Sequence, residues 1–181
     1  MFIIGLGYKK RVGKSTSASY LARTYSFKEE SFARSLKEGV GHGVFGLTEE
    51  EMETSLKEII HDKWQITPRH ILQQAGENLR KTFGEHLWVQ TVYNRMISTY
   101  NTFNYVISDV RYQNEAEWIK RSNGILVRID RKHNIKSSDN HQSEIDMDSW
   151  NAWDEIIDNN GSLEDLYQQL DLLVHNHLYK K

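Results

Sequence analysis

The sequence contains no cysteine and only one proline. Without thiols there is no disulfide scaffold, no thiolate zinc site and no cysteine nucleophile. That composition fits a reducing compartment, and a cytoplasmic location is the expectation. Long apolar runs are missing too: a membrane-spanning helix needs about 20 apolar residues, and Gly5 interrupts the first run, Met1-Phe2-Ile3-Ile4. Basic residues follow this run, whereas a signal peptide puts charge first and then a longer apolar stretch. The N-terminus is therefore expected to belong to the fold. Charge of one sign is also lacking. Lys plus Arg number 23 against 25 Asp plus Glu, a net charge of −2, which argues against a general nucleic-acid coat and a polybasic membrane anchor. There is no internal repeat and no low-complexity linker. What is present is 181 residues, 38% hydrophobic and 11% aromatic: enough for one domain with a packed core and room for a small insert.

Residues 2–6 read as a short buried strand, and 15–25 as a helix whose Ala18, Leu21, Ala22 and Tyr25 share one face. A second short strand is expected within 26–32, then a helix over 33–39 running into Gly39, Gly41, Gly43 and Gly46. Thr48 with Glu51 forms a capping box for a helix to about residue 60. Thr67-Pro68 starts another, with proline at its first position. Trp88, Val89, Val92 and Met96 mark the next. Residues 105–109 read as a strand ending in a carboxylate, 114–122 as a helix stopped by Asn123-Gly124, and 125–129 as a strand. Residues 131–149 are polar and read as a mobile loop or lid. Ile156-Ile157 is a weak last strand, and Ser162 with Asp165 caps a helix striped by Leu163, Leu166, Leu170 and Leu173. Strand-helix alternation at both ends of a helical block predicts an α/β layered fold with a parallel sheet.

The most informative segment is Gly7-Tyr8-Lys9-Lys10-Arg11-Val12-Gly13-Lys14-Ser15-Thr16. It follows a predicted strand and opens a predicted helix, the setting of a phosphate-binding P-loop. Loop amides and the helix N-terminus attract an anion. Gly13 permits close backbone approach, Lys14 reaches β- and γ-phosphates, the Ser15 hydroxyl can ligate Mg²⁺, and Thr16 adds a donor near the α-phosphate. The full pattern has Gly five residues before Gly13, where Tyr8 stands. Either the loop is one residue longer or Tyr8 takes a conformation easier for glycine.

From this point the chain resembles the phage-type deoxynucleoside monophosphate kinases, within the P-loop nucleoside monophosphate kinases. The similar segments are Lys10-Arg11-Val12-Gly13-Lys14-Ser15-Thr16, Phe32-Ala33-Arg34-Ser35-Leu36-Lys37, and Thr67-Pro68-Arg69 with Gln73 and Gly76. Others are Phe83-Gly84, Leu87-Trp88-Val89, the run from Ile107 through Asp109-Val110-Arg111 to Glu117, His141-Gln142-Ser143-Glu144 and Asn160-Gly161-Ser162-Leu163. The resemblance implies a three-layer P-loop fold with a parallel five-stranded sheet. The core would span about 1–32 and 103–181, a helical substrate-binding insert about 33–102, and a short lid about 131–149. It implies a kinase that uses ATP and Mg²⁺ on a deoxynucleoside monophosphate, in a host cytoplasm if the source is viral, and it leaves room for a homodimer.

Phosphoryl transfer between polyanions needs positioning and charge neutralisation. Lys14, Gly13, Ser15, Thr16 and Arg11 are the candidates for ATP. Asp109, at the carboxyl end of a strand beside the loop, would hold the metal's water shell together with Ser15. On the resemblance, Arg69 binds the acceptor phosphate, with Lys37, Lys10 and Arg34 as further contacts, arginine being suited to bidentate recognition. Gln73, one turn beyond Arg69, could read a base edge. Arg111, two residues after Asp109 and on the same side of an extended segment, could neutralise the transferring phosphoryl group. Glu115 opens a helix, where the dipole alone favours a carboxylate. Arg131 could clamp ATP, and His141 and Glu144 could meet substrate when the lid closes. The rival readings are another small-molecule P-loop kinase, such as a dephospho-coenzyme A kinase, and a P-loop NTPase switch. Against the switch, there is no Asn-Lys-x-Asp guanine-reading motif.

Overall fold

Short runs of Val, Ile and Leu become four of the five strands in the computed structural model, which describes residues 1–99, 102–132 and 141–179; the remaining one, Lys28–Glu30, has no apolar residue. They are β1 (Ile3–Gly7), β2 (Lys28–Glu30), β3 (Tyr105–Val110), β4 (Ile125–Asp130) and β5 (Glu155–Asp158). All pairings are parallel, in the order β2-β3-β1-β4-β5. β1 is buried along its whole length, as expected of a central parallel strand covered on both faces.

Alternation along β1 sorts the layers. Ile4 and Leu6 join a core with Ala18 and Leu21 of helix α1 (Lys14–Tyr25) and Leu166, Leu170 and Leu173 of α7 (Leu163–Val174). Gly5 points the other way, where an added Cβ would meet Ile119 of α5 (Gln113–Arg121). Helices thus lie on both faces of the sheet, giving three layers. α7 starts at the expected box, Ser162 accepting from Asp165 N at 3.1 Å.

The chain separates into two units, Met1–Ser31 with Arg95–Lys181, and Phe32–Asn94. The second contains a π-helical segment (Leu36–His42), α2 (Glu49–Glu53), a 3₁₀ turn (Ser55–Glu58), α3 (Pro68–Phe83) and most of α4 (Leu87–Ile97). Its core gathers Leu47, Met52 and Ile71 around Phe45, Trp64 and Leu72.

Three expectations need correction. The helix expected over 33–39 is instead wound wider and runs through the glycines to His42. The Thr48–Glu51 box forms, yet its helix stops at Glu53 rather than near residue 60. The cause is Thr54, whose extended backbone and hydroxyl, accepting from Leu56 N at 3.1 Å, restart the chain as a 3₁₀ turn. Finally, the loop expected over 131–149 is structured from 141 onward as α6 (Gln142–Ile145) and a 3₁₀ turn (Asp146–Ser149). Buried Met147 and a 2.8 Å bond from Gln113 N to Asp146 Oδ2 anchor it. The rest of that expected lid, residues 133–140, lies outside the described residues. Among those described, no helix is long and apolar enough to cross a membrane.

Candidate functional site

β1 ends at Gly7 and α1 begins at Lys14, so residues 8–13 make the turn between them. Three of these residues have positive φ: Tyr8 at 89°, Arg11 at 62° and Gly13 at 108°. For a non-glycine residue this region costs roughly 1–2 kcal/mol. Tyr8 thus adopts the conformation that glycine would take without strain. Gly13 has no such freedom to change, because a Cβ there would also collide with Asn159 Nδ2. That amide, 8% exposed, donates to Val12 O at 2.8 Å and pins the turn to the end of β5.

Lys14 is the centre of the arrangement. It is 7% exposed, and its Nζ donates back to the loop carbonyls of Tyr8, at 3.2 Å, and Lys9. Burial pushes its ammonium down to about 7, and Arg111 adds to the effect, while Glu144 and Asp109 oppose it. The structure thus brings Lys14, Asp109, Arg111 and Glu144 into one electrostatic cluster. Arg111 is paired with the Glu144 carboxylate. Burial disfavours the Arg111 charge, but Glu144 and Asp109 outweigh it and hold the guanidinium above its ordinary value. The second oxygen of Glu144 is buried without a hydrogen-bond partner, a costly state in a low-dielectric site. Lys9 ties the segment to the loop, donating to Glu144 O at 2.7 Å and to the Asp148 carboxylate.

α1 has no side-chain cap and no acidic residue in its first turn. By contrast, Thr48, Thr67 and Ser162 cap α2, α3 and α7. Its unmatched amides and positive dipole end suit an anion. Ser15 and Thr16 are exposed at this end, and Asp109 is half-buried. Among the described residues no three His, Cys, Asp or Glu side chains gather as a metal cage. The Ser15 hydroxyl and the Asp109 carboxylate are oxygen donors, the kind that Mg²⁺ takes beside substrate phosphates.

Other expected residues fall as follows. Glu115 is buried, its Oε2 accepting from the amides of Arg111 and Tyr112 at 2.9 and 3.1 Å, which closes the start of α5. His141 caps α6 through Ser143 N. Lys10 is half-buried, Arg11 is exposed, and exposed Arg131 lines a cavity with Tyr8. In the second unit, Arg69 pairs with Glu58 at 2.7 Å and Lys37 with Glu53 at 2.6 Å. Arg34 is half-buried. Gln73 Nε2 is buried with no hydrogen-bond partner. Lys57 joins these cations: partial burial, then Arg69, lower its ammonium, and Lys37 contributes too.

Sequence reasoning missed Asn159, Lys57 and Trp153. Asn159 reads as one more turn residue, and nothing local signals that it reaches Val12. Trp153 reads as a core or surface aromatic, yet its ring would meet a Cβ on Gly7 at 2.7 Å, so that glycine is required by close approach.

A family model described as deoxynucleotide monophosphate kinase matches residues 42–170. A protein of Acanthamoeba polyphaga mimivirus that carries the name of a deoxynucleotide monophosphate kinase is 35% identical over 191 aligned residues, covering 97% of each chain. Among solved structures, a dephospho-CoA kinase from Campylobacter jejuni superimposes with a TM-score of 0.56 at 16% identity, over 99% of this chain and 98% of that one. The last likeness is one of fold.

Proposed function

The chain belongs to the deoxynucleotide monophosphate kinase family, and on that premise we propose that it transfers the γ-phosphoryl group of Mg-ATP to a deoxynucleoside monophosphate. An oxygen of the acceptor phosphate attacks the γ-phosphorus, the bond to the bridging oxygen of ADP breaks, and a deoxynucleoside diphosphate leaves. The observation that carries this reading is Lys14, buried under a turn whose helix end has no anion of its own.

In this reading the loop amides, Gly13, Ser15 and Thr16 receive the triphosphate, and Arg11 adds charge at the rim. Lys14 exchanges the carbonyls of Tyr8 and Lys9 for phosphate oxygens. Mg²⁺, held through Ser15 and Asp109, supplies charge neutralisation between phosphates. Arg111 neutralises the group in flight and Arg131 supports the donor, since the reaction is governed by electrostatic stabilisation. Arg69 and Lys37 leave Glu58 and Glu53 for the acceptor phosphate, with Arg34 of the same unit as a further contact. Gln73 offers its unpartnered amide to a base edge. Glu144 holds Arg111 in position, and Glu115 and His141 serve by fixing α5 and α6.

A coupled ADP-release assay across deoxynucleoside monophosphates, ribonucleoside monophosphates and dephospho-coenzyme A tests the reading. Turnover with a deoxynucleotide is the expected result. Turnover with dephospho-coenzyme A alone, or without any acceptor, would overturn it.

A further inference from the structure

We propose that Lys9 is a positioning residue for phosphoryl transfer: it holds the short segment that carries Glu144, and through Glu144 it keeps Arg111 at the reacting centre. This role rests on the kinase reading above, in which Arg111 neutralises the group in flight.

Lys9 stands in the phosphate turn, yet it directs its charge onto the segment 141–149. Its Nζ donates to Glu144 O at 2.7 Å and to the Asp148 carboxylate. Two of the three donors of the ammonium are thus taken by partners 135 and 139 positions along the chain. The ammonium also lies 5.3 Å from the centre of the Tyr8 ring. With 15% of its side chain exposed, Lys9 is a largely buried tie and not a cation at the rim. Its carbonyl, meanwhile, accepts from Lys14 Nζ. One residue therefore joins the central lysine of the site to the segment that carries Glu144.

That segment needs holding. α6 has only four residues, and a helix so short has little stability of its own. Its Glu144 is buried, pairs with Arg111 through one carboxylate oxygen and leaves the other without a hydrogen-bond partner. A buried oxygen in that state is costly, so the carboxylate stays only where its backbone is fixed. Gln113 holds the next turn, through Asp146. Lys9 holds the carbonyl of Glu144 itself, the residue whose carboxylate meets Arg111. A guanidinium on a long side chain has rotamer freedom to lose, and a fixed carboxylate sets it in place before the phosphoryl group arrives.

Lys9→Met keeps the length of the side chain and removes its charge. Turnover with Mg-ATP and a deoxynucleoside monophosphate should show kcat lowered about tenfold. Mg-ATP binding, measured by calorimetry on the whole protein, should stay within about twofold of native, because the lost interaction serves the transition state. Lys9→Arg, which still reaches both acceptors, should recover most of kcat. In a Glu144→Gln background Lys9→Met should cost no further activity, since the two residues act in series. Losses that multiply would overturn the inference, as would an unchanged kcat. ATP binding weakened as much as turnover would make Lys9 part of the phosphate site and overturn it too. Should Lys9→Met fail to fold, Asp148→Asn, outside the loop, carries the same comparison: a lower kcat with ATP binding retained supports the role, and an unchanged kcat overturns it. Native protein that turns over no deoxynucleotide would overturn the kinase reading itself, whereas native turnover with unaffected variants overturns this role alone.

Discussion

Lys14 is an ammonium placed where burial and the neighbouring Arg111 disfavour its charge. Its folded value near 7 lies below the 10.5 of an exposed lysine. Between those two pH values the unfolded chain binds more protons, so stability rises with pH across that window; the destabilisation is complete below 7. Lys14→Met removes it. The variant should therefore be more stable than the native chain at pH 6, with the margin shrinking by pH 9.5. Urea midpoints at the two pH values check this, and an identical margin at both contradicts it. The same substitution should abolish phosphoryl transfer while the circular dichroism spectrum is retained. Arg69→Ala should raise the KM for the acceptor by about tenfold, the scale of one charge-assisted hydrogen-bond pair, with little change for ATP. Equal losses for both substrates would contradict the assignment of Arg69. Local chemistry explains why the loop was legible and Lys57 was not. Gly13, Lys14 and Ser15 are contiguous, so the turn they form at the start of α1 is readable from spacing alone, whereas Lys57 acquires meaning only beside Arg69 and Lys37.

Elements show where periodicity suffices and where it is overruled. α3 and α7 begin at the expected caps because Thr67 and Ser162 satisfy helix amides with bonds reaching three residues ahead. Ser162→Ala should cost about 1 kcal/mol, read as a shift of the denaturation midpoint. α2 ends early because a single hydroxyl, that of Thr54, competes with the helix. α6 owes its order to partners far along the chain, Lys9 and Gln113, which no local pattern reveals. Its Glu144 sits buried against Arg111, so Glu144→Ala leaves a guanidinium without its partner in a poorly solvated place. Thermal denaturation should show a clear loss for that variant. Glu117→Ala, which breaks only the exposed pair with Arg121, should stay within about 0.5 kcal/mol of the native chain.

At the scale of the molecule, the sheet order puts β1 between β3 and β4. One edge thereby receives the phosphate loop after β1, Asp109 on β3, Arg128 on β4 and Asn159 after β5. A ligand that binds only this assembled edge stabilises the folded chain by mass action. Mg-ATP at about 100 times its dissociation constant should add about 2.7 kcal/mol. The melting temperature should rise accordingly, and much less so for Lys14→Met. An equal rise in both would place the nucleotide elsewhere.

The sequence by itself determined the strand-helix alternation, the helix starts and the phosphate loop. Each of these depends on residues within a few positions of one another, where backbone geometry and side-chain hydrogen bonding act directly. Only the tertiary structure decided that Asn159 holds Val12, that Arg111 meets Glu144, and that Tyr8 faces Arg128 and Trp153. Those partners lie 147, 33, 120 and 145 positions apart. Their meeting follows from the parallel stacking of whole strands, which carries distant residues to one sheet edge and leaves no trace in local spacing.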